Sequence, residues 1–338
     1  MKTYRRRRWP WLLLALLVAL VLLAPGLLGA FVHQRVSTTL AESWPEATVR
    51  WQRGWFASRV EAADGQVHLV LDLRHPPLDL AAPLAAGGTL TLADPEARIA
   101  LDGALHWGLH LDVAARADDL RSNADVSIRA DQPRLALWRG RDGALDLHLE
   151  AAALTLTGPP DARLNTRDLT LTAAFDGGNP GHFELHLNAT RPGRPASRLR
   201  LVADRIDAER ANNLLEALSA ALETRPGSAT ASIAWLGVAS AWEQLARAGL
   251  VIELEPLVLN GAATLEGRWM PADGPPRWTG GGRLDTIEDW WIPIAGLARA
   301  EPSVQLREEL RLQLEQAART GRLVIDGDRF ELRAPPTE

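Results

Sequence analysis

The chain is predicted to be mainly β, an α+β protein built on an antiparallel curved sheet or β-groove with a few packing helices, preceded by one transmembrane helix. Three observations predict this. Apolar and polar residues alternate with period two through most of 66–204. Glycine- and proline-rich turn signals separate the alternating runs. One uncharged run of 22 residues, from Trp11 to Val32, stands behind Arg5, Arg6, Arg7 and Arg8.

A bilayer core of ~30 Å needs about 20 residues of helix, so the run from Trp11 to Val32 is long enough to span it. The arginines hold the N-terminus in the cytoplasm by the positive-inside rule, and Trp9 and Trp11 suit the headgroup level. Everything after Val32 is then exported. A cleaved secretory signal is the competing reading, with Leu12 to Ala24 as its apolar region. Its cleavage site would fall at Leu28-Gly29-Ala30, where a large residue occupies a position that favours a small one. Apolar character also continues past that site, and Val32, Val36 and Leu40 form an i, i+4, i+8 row that prolongs the helix beyond the membrane.

Along the exported part, Leu105, Trp107, Leu109, Leu111 and Val113 alternate with His106, Gly108, His110 and Asp112, which predicts one strand over 105–113. Leu145, Leu147 and Leu149, then Leu169, Leu171, Ala173 and Phe175, then Phe183, Leu185 and Leu187, then Leu199, Leu201 and Ala203 repeat the pattern. Period two means that one face of each strand is apolar and the other polar. Turns are predicted at Asp102-Gly103, Asp142-Gly143, Gly158-Pro159-Pro160, Asp176-Gly177-Gly178 and Pro192-Gly193. With no helices between them, such strands form an antiparallel meander.

A helix is predicted from Ala208 to Glu223, capped by Asp207, and a short one from Ser240 to Ala248. Strands resume at Leu250 to Leu259 and Ala262 to Trp269, and Met270 to Gly282 is predicted as a loop. A last helix runs from Ser303 to Thr320, ended by Gly321. The chain closes on a hairpin turning at Asp326-Gly327. The organisation expected is a basic tail over 1–8, an anchor over 9–32, a β-rich part over 33–204, a helical segment over 205–249 and a β/α part over 250–338.

Composition narrows the chemistry. Five of the 37 basic residues lie in the tail, which leaves 32 against 42 acidic ones, a balance of −10 for the exported part. Such a domain has no general attraction to nucleic acid. There is no cysteine, no lysine after Lys2 and no tyrosine after Tyr4. Disulfides, thiolate chemistry, Schiff-base lysines and Ser–Lys dyads are thereby excluded from the exported part.

Few residue groups suggest a site. His106 and His110 are four apart, as are His182 and His186; on a strand that spacing means ~13 Å, so neither pair is expected to share one ion. Glu288-Asp289-Trp290-Trp291 has the composition of a glycan-hydrolase cleft, although adjacent carboxylates usually point apart, and helix capping or a loop with inward tryptophans is the plainer reading. No catalytic residue, cofactor or metal is assigned. The string Trp51-Gln52-Arg53-Gly54-Trp55-Phe56-Ala57-Ser58 is the most distinctive. Gly54 permits a bulge or a positive φ there, and the aromatics supply buried area.

Lying between an anchor and the first alternating strand, that string resembles the uncharacterised bacterial periplasmic family of YdgA type. The closing segment from Gly321 to Leu332 is similar to the terminal hairpin of that family, and the strands around Asn260-Gly261 look like repeats of the AsmA-like group. The resemblance is specific over some 20 residues and architectural elsewhere. It implies a single-pass protein of the bacterial inner membrane, its C-terminal part in the periplasm, concerned with lipid handling or envelope maintenance. It carries over no catalytic residue.

The expected function is therefore a non-enzymatic envelope protein that binds lipid through an apolar sheet face. Its partners would be the phospholipid bilayer at the N-terminal helix and a lipid or envelope protein elsewhere. Trp51, Arg53, Trp55, Phe56, Trp107 and Leu109 are the candidate contacts. The alternatives are an anchored protein-interaction scaffold with a fully packed core, and a periplasmic glycan hydrolase built on Glu288 and Asp289.

Overall fold

The computed structural model describes residues 30, 32–42, 44–54, 56–74, 82, 84–93, 97–106, 110–122, 127–222, 229–274, 277–299 and 301–333. The fold is mainly antiparallel β with packing helices, as the alternation requires. Apart from Ala30 and Val32, the expected span 11–32 lies outside the described residues, and among those no helix is long and apolar enough to cross a membrane.

The chain forms two compact units. The first lies within 1–120 together with 136–138. It opens with helix α1 over 32–42, followed by strands β1 (Thr48–Arg53), β2 (Ala57–Ala63), β3 (Val67–Arg74), β4 (Leu84–Leu92), β5 (Ala97–Leu105) and β6 (Leu111–Ser122). Each strand pairs antiparallel with the next, a pure meander. Register carries one apolar face across it: Val60 faces Leu71, Leu71 faces Gly88, Gly88 faces Leu101, and Leu101 faces Ala115. The row Val32, Val36 and Leu40 lies on this face, packed with Val60, Leu71, Leu73 and Leu84. The apolar stripe of α1 is thus a sheet cover.

Two expectations fail here. The predicted strand 105–113 is a hairpin: β5 ends at Leu105, β6 starts at Leu111, and the His106 N–H donates to the His110 carbonyl at 3.0 Å. The predicted turn at Asp102-Gly103 lies inside β5. The cause is parity. Leu105 pairs with Leu111, two odd-numbered residues, so the period-two phase passes through the turn unbroken.

The second unit holds 121–135 and 139–338. Its strands are β7 (Ser127–Asp131), β9 (Leu145–Gly158), β10 (Ala162–Phe175), β11 (Gly181–Thr190), β12 (Ala196–Ile206), β13 (Val251–Leu259), β14 (Ala263–Trp269), β15 (Arg277–Arg283), β16 (Leu323–Asp326) and β17 (Arg329–Leu332). Strand β8 (Arg134–Arg139) contributes its middle to the first unit, where it pairs with β6. The ladder of the second unit runs β7, β9, β10, β11, β12, β13, β14, β15, β17, β16, all antiparallel.

Helices α2 (Ala208–Leu222), α3 (Ala229–Arg247), α4 (Leu284–Arg299) and α5 (Ser303–Arg319) belong to this unit. Three of these regions correct the sequence reading. The expected helix 240–248 starts eleven residues earlier, because Ala229 to Ala239 continues the helix despite Gly237. The expected loop 270–282 contains all of β15 but its last residue, Arg283. Its glycines mark close backbone approach: a Cβ on Gly280 would run into the Thr264 carbonyl oxygen on β14. Helix α4 is entirely new and has Pro293 inside it. Proline costs ~3 kcal/mol within a helix. Burial of Ile292 and Ala295, and the packing of Trp290 and Trp291 against core clusters, offset it.

Candidate functional site

In the second unit, register stacks the apolar residues into transverse rows. Phe175, Phe183, Ala203 and Ile252 form one row across β10 to β13. They pack with Leu245, Leu250, Leu214 and Trp242 of the α2–α3 region. At the other end, Ala151, Leu169 and Ala189 pack under Trp290 of α4. Between these ends run Leu147, Ala173, Leu185, Leu201 and Leu254, and beside them Leu149, Leu171 and Leu199. These central residues are half-buried and belong to neither helix-packed cluster. The result is an apolar trough floor flanked by helices. Five strands at ~4.8 Å spacing make it about 19 Å across.

The opposite face of the same strands is polar. Glu184 accepts from the Arg200 guanidinium at 2.5 Å and pairs with His186 at 2.7 Å, and Arg200 also bridges to Glu255. Arg200, with His186 behind it, holds the Glu184 carboxyl below the usual carboxylate range. His182 pairs with Asp204 at 2.6 Å, which raises its pKa. His182 and His186 stand on one strand with separate partners, so their expected separation holds. His106 and His110 do not obey the same rule. Across the hairpin their rings stack at 4.3 Å, interplanar angle 9°.

The distinctive string divides. Trp51 on β1 is partly buried, packed against the core cluster with α1 and edge-on to His33 at 4.4 Å. Arg53 is exposed at the end of β1, and Phe56 is 48% exposed. Trp55, Trp107 and Leu109 lie outside the described residues, as do Arg5 to Arg8, Trp9 and Trp11. Gly54 does not adopt a positive φ. Its N–H donates to the Ala57 carbonyl at 2.8 Å, and a Cβ there would strike the same oxygen. The need for glycine is close approach in a tight turn.

Glu288 and Asp289 sit mid-helix in α4, where successive residues point about 100° apart. Glu288 is exposed, and Asp289 pairs with Arg194 at 3.2 Å. The two carboxylates do not face each other across a cleft. Pro293 has no N–H for the Asp289 carbonyl four residues earlier, and the Arg191 guanidinium donates to that oxygen instead. Arg191 also lies 5.8 Å from the centroid of the Trp290 ring. The Trp290 indole N–H donates to Asn260 Oδ1 at 3.1 Å, and the Asn260 N–H donates to Ser197 Oγ at 2.8 Å. Asn260 and Gly261 both have positive φ, the geometry of a type I′ hairpin turn. This polar knot ties α4 to the β13–β14 turn. Sequence reasoning missed it because its members are up to 98 residues apart.

In the first unit, an open depression of about 470 Å³ is lined by Glu46, Arg50, Glu61, Asp64 and His68 and offers a polar floor. On the α2–α3 pair, Leu215, Ile233, Trp235 and Leu236 are exposed at 50–69%. No family model matches the chain, and no curated protein or solved structure is significantly similar to it.

Proposed function

We propose that the protein is a non-enzymatic, inner-membrane-anchored envelope protein whose exported part binds lipid through an apolar sheet face. The trough between α4 and the α2–α3 region is the observation that carries this reading. Its leucine floor is half-buried on a domain that carries helices enough to cover both ends of the same face. A contiguous apolar surface of several hundred Å² on an otherwise polar domain marks a binding surface. The anchor over 9–32, the bacterial inner membrane and the periplasm follow from the basic tail, the uncharged span and the resemblance to the YdgA-type and AsmA-like families.

The ligand class is an acyl chain, since the floor presents methyl groups and no buried charge. The full-length protein in membranes doped with a photoactivatable phospholipid tests this. Cross-links are expected on peptides containing Leu185 and Leu201, and Leu185→Asp should remove them while far-UV circular dichroism stays unchanged. Cross-links confined to 9–32 would sink the lipid reading, because the anchor alone would account for them.

A scaffold is the second reading, and one observation favours it. Leu215, Ile233, Trp235 and Leu236 give the α2–α3 pair an exposed apolar surface of the kind a protein partner covers. A partner cross-linked at Trp235, with no lipid in the trough, is its expected signature. The glycan-hydrolase reading gains no support from the placement of Glu288 and Asp289.

A further inference from the structure

We propose that His106, His110 and Asp112 form a binding site for a divalent transition metal of the zinc class, at the closing end of the β5–β6 hairpin. Position follows from the turn. Closing the chain between Leu105 and Leu111 sets His106 opposite His110, and Asp112 follows on β6. The rings stack at 4.3 Å, and His106 Nε2 lies 2.7 Å from Asp112 Oδ2. One ligand atom from each of the three residues lies within 4.8 Å of the other two. All three side chains are half-buried, and Trp138 packs against the His110 ring at 6.2 Å between centroids.

Ligand chemistry selects the metal. Two imidazole nitrogens and one carboxylate oxygen suit zinc and its neighbours, whereas magnesium and calcium require oxygen shells. Bonds of ~2.0–2.1 Å in a tetrahedron set ligand atoms about 3.3 Å apart. The ligand nitrogens of the stacked imidazoles therefore need to swing together by up to about 1.5 Å, which rotation about the side-chain bonds supplies. Three protein ligands leave the fourth position open to water or an external donor. Elsewhere among the described residues the rings of His148, His182 and His186 each pair with one carboxylate, and none joins a second imidazole and an acidic group in such a cluster.

Titration of the full-length protein with Zn²⁺ alone, followed by calorimetry, tests the site. One equivalent is expected to bind. His106→Ala and His110→Ala should each weaken it at least about tenfold, the loss that even an outer-sphere partner produces. The His182→Ala/His186→Ala double variant should bind as the parent does. Two measurements need no variant. Co²⁺ should give the intense visible bands of four-coordinate geometry, and Zn²⁺ should shift the imidazole NMR signals of His106 and His110. Absence of binding, an octahedral Co²⁺ spectrum, or shifts confined to other histidines would overturn the proposal.

Discussion

The two units apply one strand logic and cover it differently. In both, period-two strands pair antiparallel and gather their apolar residues on one face. The first unit lays a single short helix, α1, over β1 to β4 and leaves Leu90, Ile99, Leu101 and Val113 half-buried. The second places α2 and α3 at one end of its face and α4, backed by α5, at the other. Identical local patterning therefore yields a sheet with a partial lid in one unit and a flanked trough in the other. The lesson is that strand periodicity specifies a face, and only long-range packing specifies what occupies it.

The largest expected effect separates core from trough. Leu306 is fully buried beneath α4, so Leu306→Ala should cost about 2–5 kcal/mol in chemical denaturation. Leu185→Ala, on the half-buried floor, should cost markedly less. Equal losses would break the comparison, because the floor would then be ordinary core and the scaffold reading would win. Next comes Gly54→Val in the first unit. Its Cβ would collide with the Ala57 carbonyl, and a loss of about 1–3 kcal/mol is expected. Hydrogen exchange should place that loss in β1 and β2; an unchanged melting temperature would show the turn to be permissive.

A third variant probes α4. Arg191→Ala leaves the Asp289 carbonyl without its donor, which should cost about 1–2 kcal/mol. Pro293→Ala in that background should restore part of the loss by returning an N–H to the helix. Additive losses in the double variant would mean that Arg191 does not stand in for the missing bond. The smallest effect is the pH dependence of the His182–Asp204 pair. Asp204 raises the His182 pKa, so its stabilisation is complete below the unfolded value of ~6.5 and is lost as pH rises through the higher folded value. Comparing the parent with His182→Ala, the stability gap should narrow as pH rises above about 6.5. A gap that widens over that range would contradict the sign.

Much of the architecture was legible in the residues. The strands around Leu145 to Ala203, the turns at Asp142-Gly143 and Asp176-Gly177-Gly178, α2, α5 and the closing hairpin all stand where patterning predicts them. These are local properties: side-chain period, cap chemistry and glycine at positive φ. The apolar faces were legible too, but the candidate site only in outline. Leu185 and Leu201 are visible as face residues, and so is α2 at one end of that face, while α4 at the other end is not. Helix α4 was hidden because Pro293 argues against a helix from within, and the offsetting burial of Trp290 and Ile292 comes from partners on other elements.

The sequence by itself determined which residues share a side of each strand, because alternation is written into consecutive positions. Only the tertiary structure decided that His106 and His110 meet. Leu105 and Leu111 have the same parity and pair directly, so a hairpin and a continuous strand produce the same periodic string. The free energy that separates them lies in the backbone bonds between β5 and β6 and in the side-chain contacts the turn brings together, and a period along the chain carries no record of either.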